Sequence, residues 1–555
     1  VQPSQYRYNE GFTVVRGKQY FVDGRIEWPA PTPEEVATVK TDNSYYTHGG
    51  PCASHNGLLY GNDNSNVREG TTRLTKSRLP VDPEAEGRFR SNQKTFVEGH
   101  SGLIRMLRER YEPHFFEYLG TELEAEFHHD DPHEKKDLRI QSWKDILDHN
   151  VLHDEIWNLP GTYGLYKMKV FEIAKPDKTA RMIADLGCPA SLQGFRIAEF
   201  MKNAMFNEPF LYEGGSIEFC KEPSPWSLAE IFKKLIDPPG RFYFVYFSDD
   251  ACLSVRVNGE VLRYNVDISS CDASHTESLF DMYVKIHPPH HQRDAVKLVS
   301  QCRQPLTIVD LYNKKRKITL EPKEPRLYSG VTITTIVNNL ANVLIAVSIA
   351  ESDISSGEDV ISAAAKAGYI VTCENCANWH ELQFLKHSPV LDTSGDLRPL
   401  LNIGVLLRLS GTAKGDYPGS KNESVKLRCD RHQSSLLRGA YPQAKFSLIE
   451  NLKRTCAYAT QKHSTTDRAT KLLTAYKVVD SPTYPEFTVD STEVYARYGL
   501  TELEMAELDS DFGSCGFCDH YASSGTNAIY KKDYGLGAAF LTFPPEETLP
   551  SHWSR

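Results

Sequence analysis

Three aspartates carry the chemistry this sequence suggests first. Asp249 and Asp250 are adjacent, and Asp267 follows in the same β-rich stretch. Carboxylates gathered at one point repel one another and call for a cation. Two Mg²⁺ (or Mn²⁺) ions about 3.5–4 Å apart would neutralise them and clamp an in-line phosphoryl displacement. Oxygen ligands alone favour these ions over zinc. The chemistry therefore depends on whether the chain brings the three side chains together, since an Asp-Asp pair by itself often makes no more than an exposed turn.

The flanking residues say that it does. Phe242–Phe247 is an aromatic and β-branched run of the kind that forms a buried strand. It stops at Ser248-Asp249-Asp250, and a second strand follows to Val257. Asn258-Gly259 is the strongest short hairpin signal, and Glu260–Ile268 reads as a third strand. Counting outward from a two-residue turn at 258 and 259 sets Asp250 opposite Asp267. Directly opposed like charges destabilise a sheet, so a role beyond packing is implied.

The rest of the chain bounds the classes available. With 555 residues, about three or four domains are expected. Apolar residues at 40% and charged residues at 25% exclude a disordered or fibrous chain. A net charge of −10 argues against a protein that coats DNA, though not against a basic channel inside an acidic shell. Twelve cysteines without a dense framework suit a reducing compartment. Val1-Gln-Pro-Ser-Gln has neither the basic nor the apolar block of a signal peptide. Val331 to Ala350 is uncharged for a membrane-spanning length, but Asn338, Asn339 and Asn342 make it a buried helix rather than a span. Helices are also expected near 104–119, 191–207 and 223–235, and loops at 41–66, 410–424 and 480–485. The run His128-His-Asp-Asp-Pro-His133 has metal-binding residue types, but Pro and adjacent charges read as a solvated loop.

Together these stretches resemble the palm of a viral RNA-dependent RNA polymerase. Asp267-Ile-Ser-Ser-Cys-Asp272-Ala-Ser-His is similar to motif A, and Ser248-Asp249-Asp250 between apolar strands is similar to motif C. Ser329-Gly330, with Thr334 five and Asn338 nine positions after the serine, resembles motif B. The order along this chain is C, A, B, whereas most such polymerases run A, B, C. That permuted palm resembles the replicases of permutotetraviruses (the Thosea asigna virus kind) and, more distantly, of birnaviruses. Birnavirus motif C usually reads Ala-Asp-Asn, while this chain keeps Asp at 250.

The resemblance implies roles. Asp249 and Asp267 would be the principal metal ligands, with Asp250 assisting. Asp272, Ser329, Gly330, Thr334 and Asn338 would bind the nucleotide, and Asp272 with Asn338 would read the ribose 2′-hydroxyl, the group that separates RNA from DNA. Ser274-His-Thr-Glu277 looks like a capping box that sets Asp272 at a strand-to-helix corner. Lys167 through Arg181 resembles motif F of the fingers, so Lys175, Lys178 and Arg181 would hold the triphosphate. Lys314-Lys-Arg-Lys317 reads equally as a backbone contact or a surface patch. Gly357–Cys376 resembles motif D, but no Lys stands where a general acid is expected; Lys366 is early and His380 is the remaining guess. Leu382–His387 resembles motif E. Cys373/Cys376 and Cys515/Cys518, each pair followed by a histidine (His380, His520), would make a structural zinc site only if the fold joins them; buried thiols are the default.

The implied architecture is α+β, a right hand with an internally permuted palm. The N-terminal extension and fingers would occupy 1–240, with motif F near 167–183. The palm would run over 241–390, with motif C at 248–250, motif A at 267–275, motif B at 329–342, motifs D and E at 357–387 and a fingers insertion at about 280–327. The thumb and tail would fill 391–555. Implied partners are an RNA template and product and nucleoside triphosphates, with a protein primer and self-association left open. The implied location is the host cell cytoplasm, in a replication complex or virion. A two-metal nuclease or phosphotransferase would share the carboxylates without needing the Ser-Gly, Thr and Asn spacing. A non-catalytic RNA-binding or capsid-associated protein would need neither.

Overall fold

The computed structural model describes residues 6–38, 52–53, 63–76, 80–112, 164–169, 178–220, 223–409, 450, 472–473, 478–479, 483–514, 520–521 and 523–535. The His128–His133 run, Lys175, Cys515 and Cys518 lie outside them. The fold is α+β, built around two sheets of five and six strands.

The six-stranded sheet carries the aspartates. Its strands are β1 (Phe210–Tyr212), β2 (Gly215–Phe219), β3 (Phe242–Phe247), β4 (Asp250–Val257), β5 (Glu260–Ile268) and β6 (Val371–Asn375). In space they run β6-β5-β4-β3-β2-β1. The up-down-up meander of β3, β4 and β5 has the boundaries expected from the sequence. The sheet also reaches upstream of residue 240 through β1 and β2, across the boundary drawn there.

Both faces of this sheet are covered, which is why β3 reads as an unbroken apolar run rather than an alternating one. Phe242, Phe244 and Tyr246 face the larger core, while Tyr243 and Val245 face a second core. Seven helices frame the site: α1 (Asn64–Thr75), α2 (Pro83–Gly99), α3 (Pro225–Ile236), α4 (Cys271–Ser274), α5 (Glu277–Lys285), α6 (Thr334–Ala350) and α7 (Gly357–Lys366). Helix α6 packs on β2 and β3 between α5 and α7, and Ile336 through Ala350 are all buried. Among the described residues no helix is long and apolar enough to cross a membrane. On the opposite face α3 sets Leu228, Phe232 and Leu235 against Tyr243 and Val245.

The five-stranded sheet is assembled from distant parts of the chain. Its order is Phe12–Arg16, Lys317–Pro322, Leu306–Val309, Leu165–Met168 and Met182–Asp185. The last two form an antiparallel pair that brackets the motif F-like segment. A third core joins strands His387–Leu391 and Leu397–Leu401 to helices Ile403–Leu409, Glu502–Ser514 and Ser524–Tyr534.

The capping box expected at Ser274–Glu277 does not form. Helix α5 starts at Glu277 with Thr276 as its N-cap, which makes no side-chain cap. The Ser274 hydroxyl instead donates to the carbonyls of Ser269 and Ser270, and the Thr276 hydroxyl donates to Gln93 on α2. A buried tertiary partner outcompetes the local cap.

Candidate active site

The turn that joins β4 to β5 fixes the register. Asn258 at φ 50° and Gly259 at φ 81° both take the left-handed conformation that a type I′ turn requires. Asp250 then pairs with Asp267 across the strands. At the other end, Ser248 and Asp249 make the two-residue turn between β3 and β4, with Asp250 facing Phe247. Ser248 has φ 52°, a conformation that ordinarily favours glycine. Its carbonyl accepts a hydrogen bond from the amide of Asn342 on α6, which holds the turn in place.

Crowding shows in the acidities. Asp250 is pushed up to about 6, first by loss of solvent, then by Asp249 and Asp267; the Leu385 N–H and Lys386 oppose the rise. Asp267 is also pushed up to about 6, by loss of solvent and then by Asp249, against Arg181 and Lys386. Asp249 thus lies close enough to Asp250 and Asp267 to raise both their pKa values. Carboxylate oxygens of this kind suit hard divalent cations such as Mg²⁺ or Mn²⁺.

Helix α6 links the motifs. Thr334, Asn338 and Asn342 recur every fourth residue and so share a face. Thr334 Oγ1 donates to the Tyr328 carbonyl at 2.9 Å, tying down the loop before the helix. Asn338 Nδ2 donates to Asp272 Oδ1 at 3.2 Å. Asp272 sits in the first turn of α4, and its pKa is raised by burial; the Asn338 donor opposes this, Asp249 adds to it, and Arg326 and Arg181 oppose it. Asp272 and Asn338, from the motif A-like and motif B-like stretches, are therefore in direct contact.

Ser329 and Gly330 dock on the segment that follows the basic run. The Ala184 N–H donates to the Ser329 carbonyl at 2.8 Å. Gly330 has φ 100°, and a Cβ there would lie 2.8 Å from the Ala184 oxygen. Gly330→Ala is therefore expected to cost on the order of 1–3 kcal/mol. A denaturation midpoint equal to the parent's would remove this constraint.

Lys178 and Arg181 are both exposed just before Met182–Asp185, and Arg181 acts on Asp267 and Asp272. Helix α1 brings in further cations that no motif marks. Arg73 donates to the Thr179 carbonyl at 2.9 Å. Lys76, directly after α1, is pushed below its ordinary value by burial and then by Arg73 and Lys178 beside it. Arg326 donates to the Leu74 carbonyl at 3.1 Å and also acts on Asp272. Arg181 and Arg326 thus act on the carboxylates, and Arg73, Lys76 and Lys178 cluster with one another next to them in the chain fold. Of the Lys314–Lys317 run, Arg316 is committed elsewhere, to Glu35 at 2.9 Å and Asp310 at 3.2 Å.

The segment resembling motif E reaches the aspartates through its backbone. Phe384 and His387 exchange hydrogen bonds around Leu385 and Lys386, which have φ 52° and 59°. Inside that turn the Leu385 N–H donates to Asp250 Oδ2 at 2.7 Å. Lys386 Nζ donates to the Asp533 carbonyl at 2.6 Å, so the turn also grips the C-terminal helix Ser524–Tyr534. His380 is paired with Glu493 at 2.6 Å. Cys373 packs against the large core and Cys376 belongs to the core under α3, so this Cys-x-x-Cys pair is split between two faces.

No family model matches this sequence, and no curated protein matches it. Among solved structures the chain is similar to the RNA polymerase VP1 from Infectious Pancreatic Necrosis Virus, with a TM-score of 0.40 and 12% identity over 71% of this chain and 62% of that one. It is also similar to the birnavirus VP1-VP3 complex, with a TM-score of 0.38 and 12% identity over 71% of this chain and 65% of that one. The chain spans less than two thirds of the length of either structure.

Proposed function

We propose that this chain synthesises RNA on a template from ribonucleoside triphosphates, as a right-hand polymerase with the permuted motif order C, A, B. The observation that carries the reading is the hydrogen bond from Asn338 on α6 to Asp272, formed beside the Asp249, Asp250 and Asp267 cluster. A carboxylate cluster alone would serve a nuclease. A second carboxylate held by a helix amide serves recognition of a sugar.

In this reading Asp249 and Asp267 hold two divalent cations, with Asp250 behind them. Bound there, the cations supply charge neutralisation for the attacking and leaving oxygens. Lys178 and Arg181, joined by Arg73, Lys76 and Arg326, hold the triphosphate and offset the charge that develops on the leaving group. Lys175 belongs to the same basic segment. Asp272 and Asn338 face the ribose. Thr334 keeps the Ser329–Gly330 loop seated, and Asn342 keeps the Asp249 turn aimed.

Primer extension on a short RNA template with Mg²⁺ or Mn²⁺ tests this. Templated extension with ribonucleotides is expected. Degradation of the RNA that depends on Asp249 would favour a nuclease instead, and neither product with either ion would overturn the reading. Cation binding has its own readout. Mn²⁺ at about a hundred times its dissociation constant is worth about 2.7 kcal/mol of stability. The unfolding temperature of the parent is therefore expected to rise with Mn²⁺, and that of an Asp249→Asn, Asp267→Asn double variant to stay flat. Equal rises in both would place the cation elsewhere.

A further inference from the structure

We infer that His275 is a positioning residue that fixes the amide of Asn338, so that Asn338 offers only N–H donors to the nucleotide sugar. The inference rests on the polymerase reading above and extends it to a residue to which the resemblance gives no role. Ligating atoms of Cys271, Asp272 and His275 lie within 4.8 Å of one another, an arrangement that first suggests a metal site. The hydrogen bonds argue otherwise, because both ring nitrogens of His275 are engaged. Nε2 lies 2.8 Å from Asn338 Oδ1, and Nδ1 lies 2.9 Å from the Tyr369 hydroxyl.

The protons follow from the chemistry of the partners. An amide oxygen cannot donate, so His275 Nε2 must carry the proton. In the neutral ring Nδ1 is then an acceptor, and Tyr369 must donate to it. The opposite amide orientation fails at the other end. It would turn Asn338 Oδ1 towards the Asp272 carboxylate, two acceptors facing each other. Asp272 therefore specifies the orientation, and the His275–Tyr369 pair takes the tautomer that holds it. The Cys271 thiol also donates to Asn338 Oδ1, at 3.3 Å, which fills that oxygen's second lone pair. One Nδ2 hydrogen goes to Asp272, and the other is left for the ribose.

The position of His275 is itself over-determined. Gln93 on α2 is fully buried and brackets the residue from both sides. Its Nε2 donates to the Ser274 carbonyl at 3.2 Å, and its Oε1 accepts from the Thr276 N–H at 2.9 Å. Tyr369, also fully buried, follows Gly368, which has φ 85° and packs against Gln93 itself. A side chain locked this tightly, with its ring protons set by its neighbours, suits the holding of one amide against a weakly discriminating alternative.

The test measures the ratio of ribonucleotide to deoxyribonucleotide incorporation efficiency by the full chain on one template. His275→Ala is expected to lower that ratio by about tenfold. His275→Gln, whose amide can still donate to Asn338, is expected to keep most of it. Tyr369→Phe retains the ring packing and removes the hydroxyl, and is expected to lower the ratio by a smaller factor. In an Asn338→Ala background, His275→Ala is expected to change the ratio no further, which a purely structural role would not produce. An unchanged ratio in Tyr369→Phe and in folded His275→Ala would overturn the inference, as would equal losses with and without Asn338. Absence of incorporation by the parent would overturn the polymerase reading and this inference with it.

Discussion

Asp249→Asn and Asp267→Asn are each expected to cut nucleotide incorporation by at least roughly a hundredfold, the scale of removing one preorganised electrostatic stabiliser. Asparagine keeps the shape of the side chain and removes its charge. Strand pairing at β5 runs through the backbone, so the register of Asp267 with Asp250 and with Thr372 on β6 should survive the change. Repulsion within the cluster also falls, so the cation-free protein should unfold at an equal or higher denaturant concentration. Lost activity with retained or improved stability separates a functional charge from a structural one. Asp250→Asn should be milder, because the remaining amide oxygen can still accept from Leu385. Undiminished incorporation in both Asp249→Asn and Asp267→Asn would sink the metal assignment.

The largest expected effect on stability is far from the aspartates in sequence. Asp533 is fully enclosed and accepts from Arg497 Nε at 2.9 Å, the Tyr498 hydroxyl at 2.8 Å and the Gly404 N–H at 2.9 Å. Arg497 is itself 5% exposed and donates also to the Glu381 carbonyl at 2.6 Å. Asp533→Ala would leave that guanidinium buried without its counter-charge, at a cost of about 3–5 kcal/mol. Urea unfolding of the full chain measures it. A loss below about 1 kcal/mol would mean that water reaches Arg497 and that the pair is an ordinary surface one.

The parts of the site that the sequence discloses are those built from neighbours. The β3–β5 meander is legible because Phe242–Phe247 has strand composition and Asn258-Gly259 dictates one turn type, and from these the facing of Asp250 and Asp267 follows. Helix α6 is legible because its amides stand among apolar residues with no charge between them. Asn342 completes the spacing of Thr334 and Asn338 on one face, while its partner, the Ser248 carbonyl, is supplied by packing.

What stays hidden is brought in by tertiary packing. Nothing at 385 announces that its N–H will bind Asp250, because a backbone group has no sequence signature. Arg73 and Arg326 join the basic border only because α1 packs beside the Met182–Asp185 strand. The capping box fails for the same reason: Gln93, from a helix far upstream, claims the Thr276 hydroxyl. His380 fits the expected residue type for a general acid, yet Glu493 holds it on the side of the C-terminal core.

The connectivity of the meander has a consequence for how the molecule comes into being. Its three strands close through two-residue turns, so little chain entropy is lost in pairing them, and hairpins of this kind form in about 1–10 μs. The other sheet waits for Phe12 to find Pro322 across most of the chain synthesised up to that point. On a ribosome adding about 5–20 residues per second, the strands bearing Asp249, Asp250 and Asp267 can therefore associate within seconds of one another. The sheet that borders them on the cationic side assembles only later. The reactive strands are thus expected to form a folding unit before their cationic border is complete.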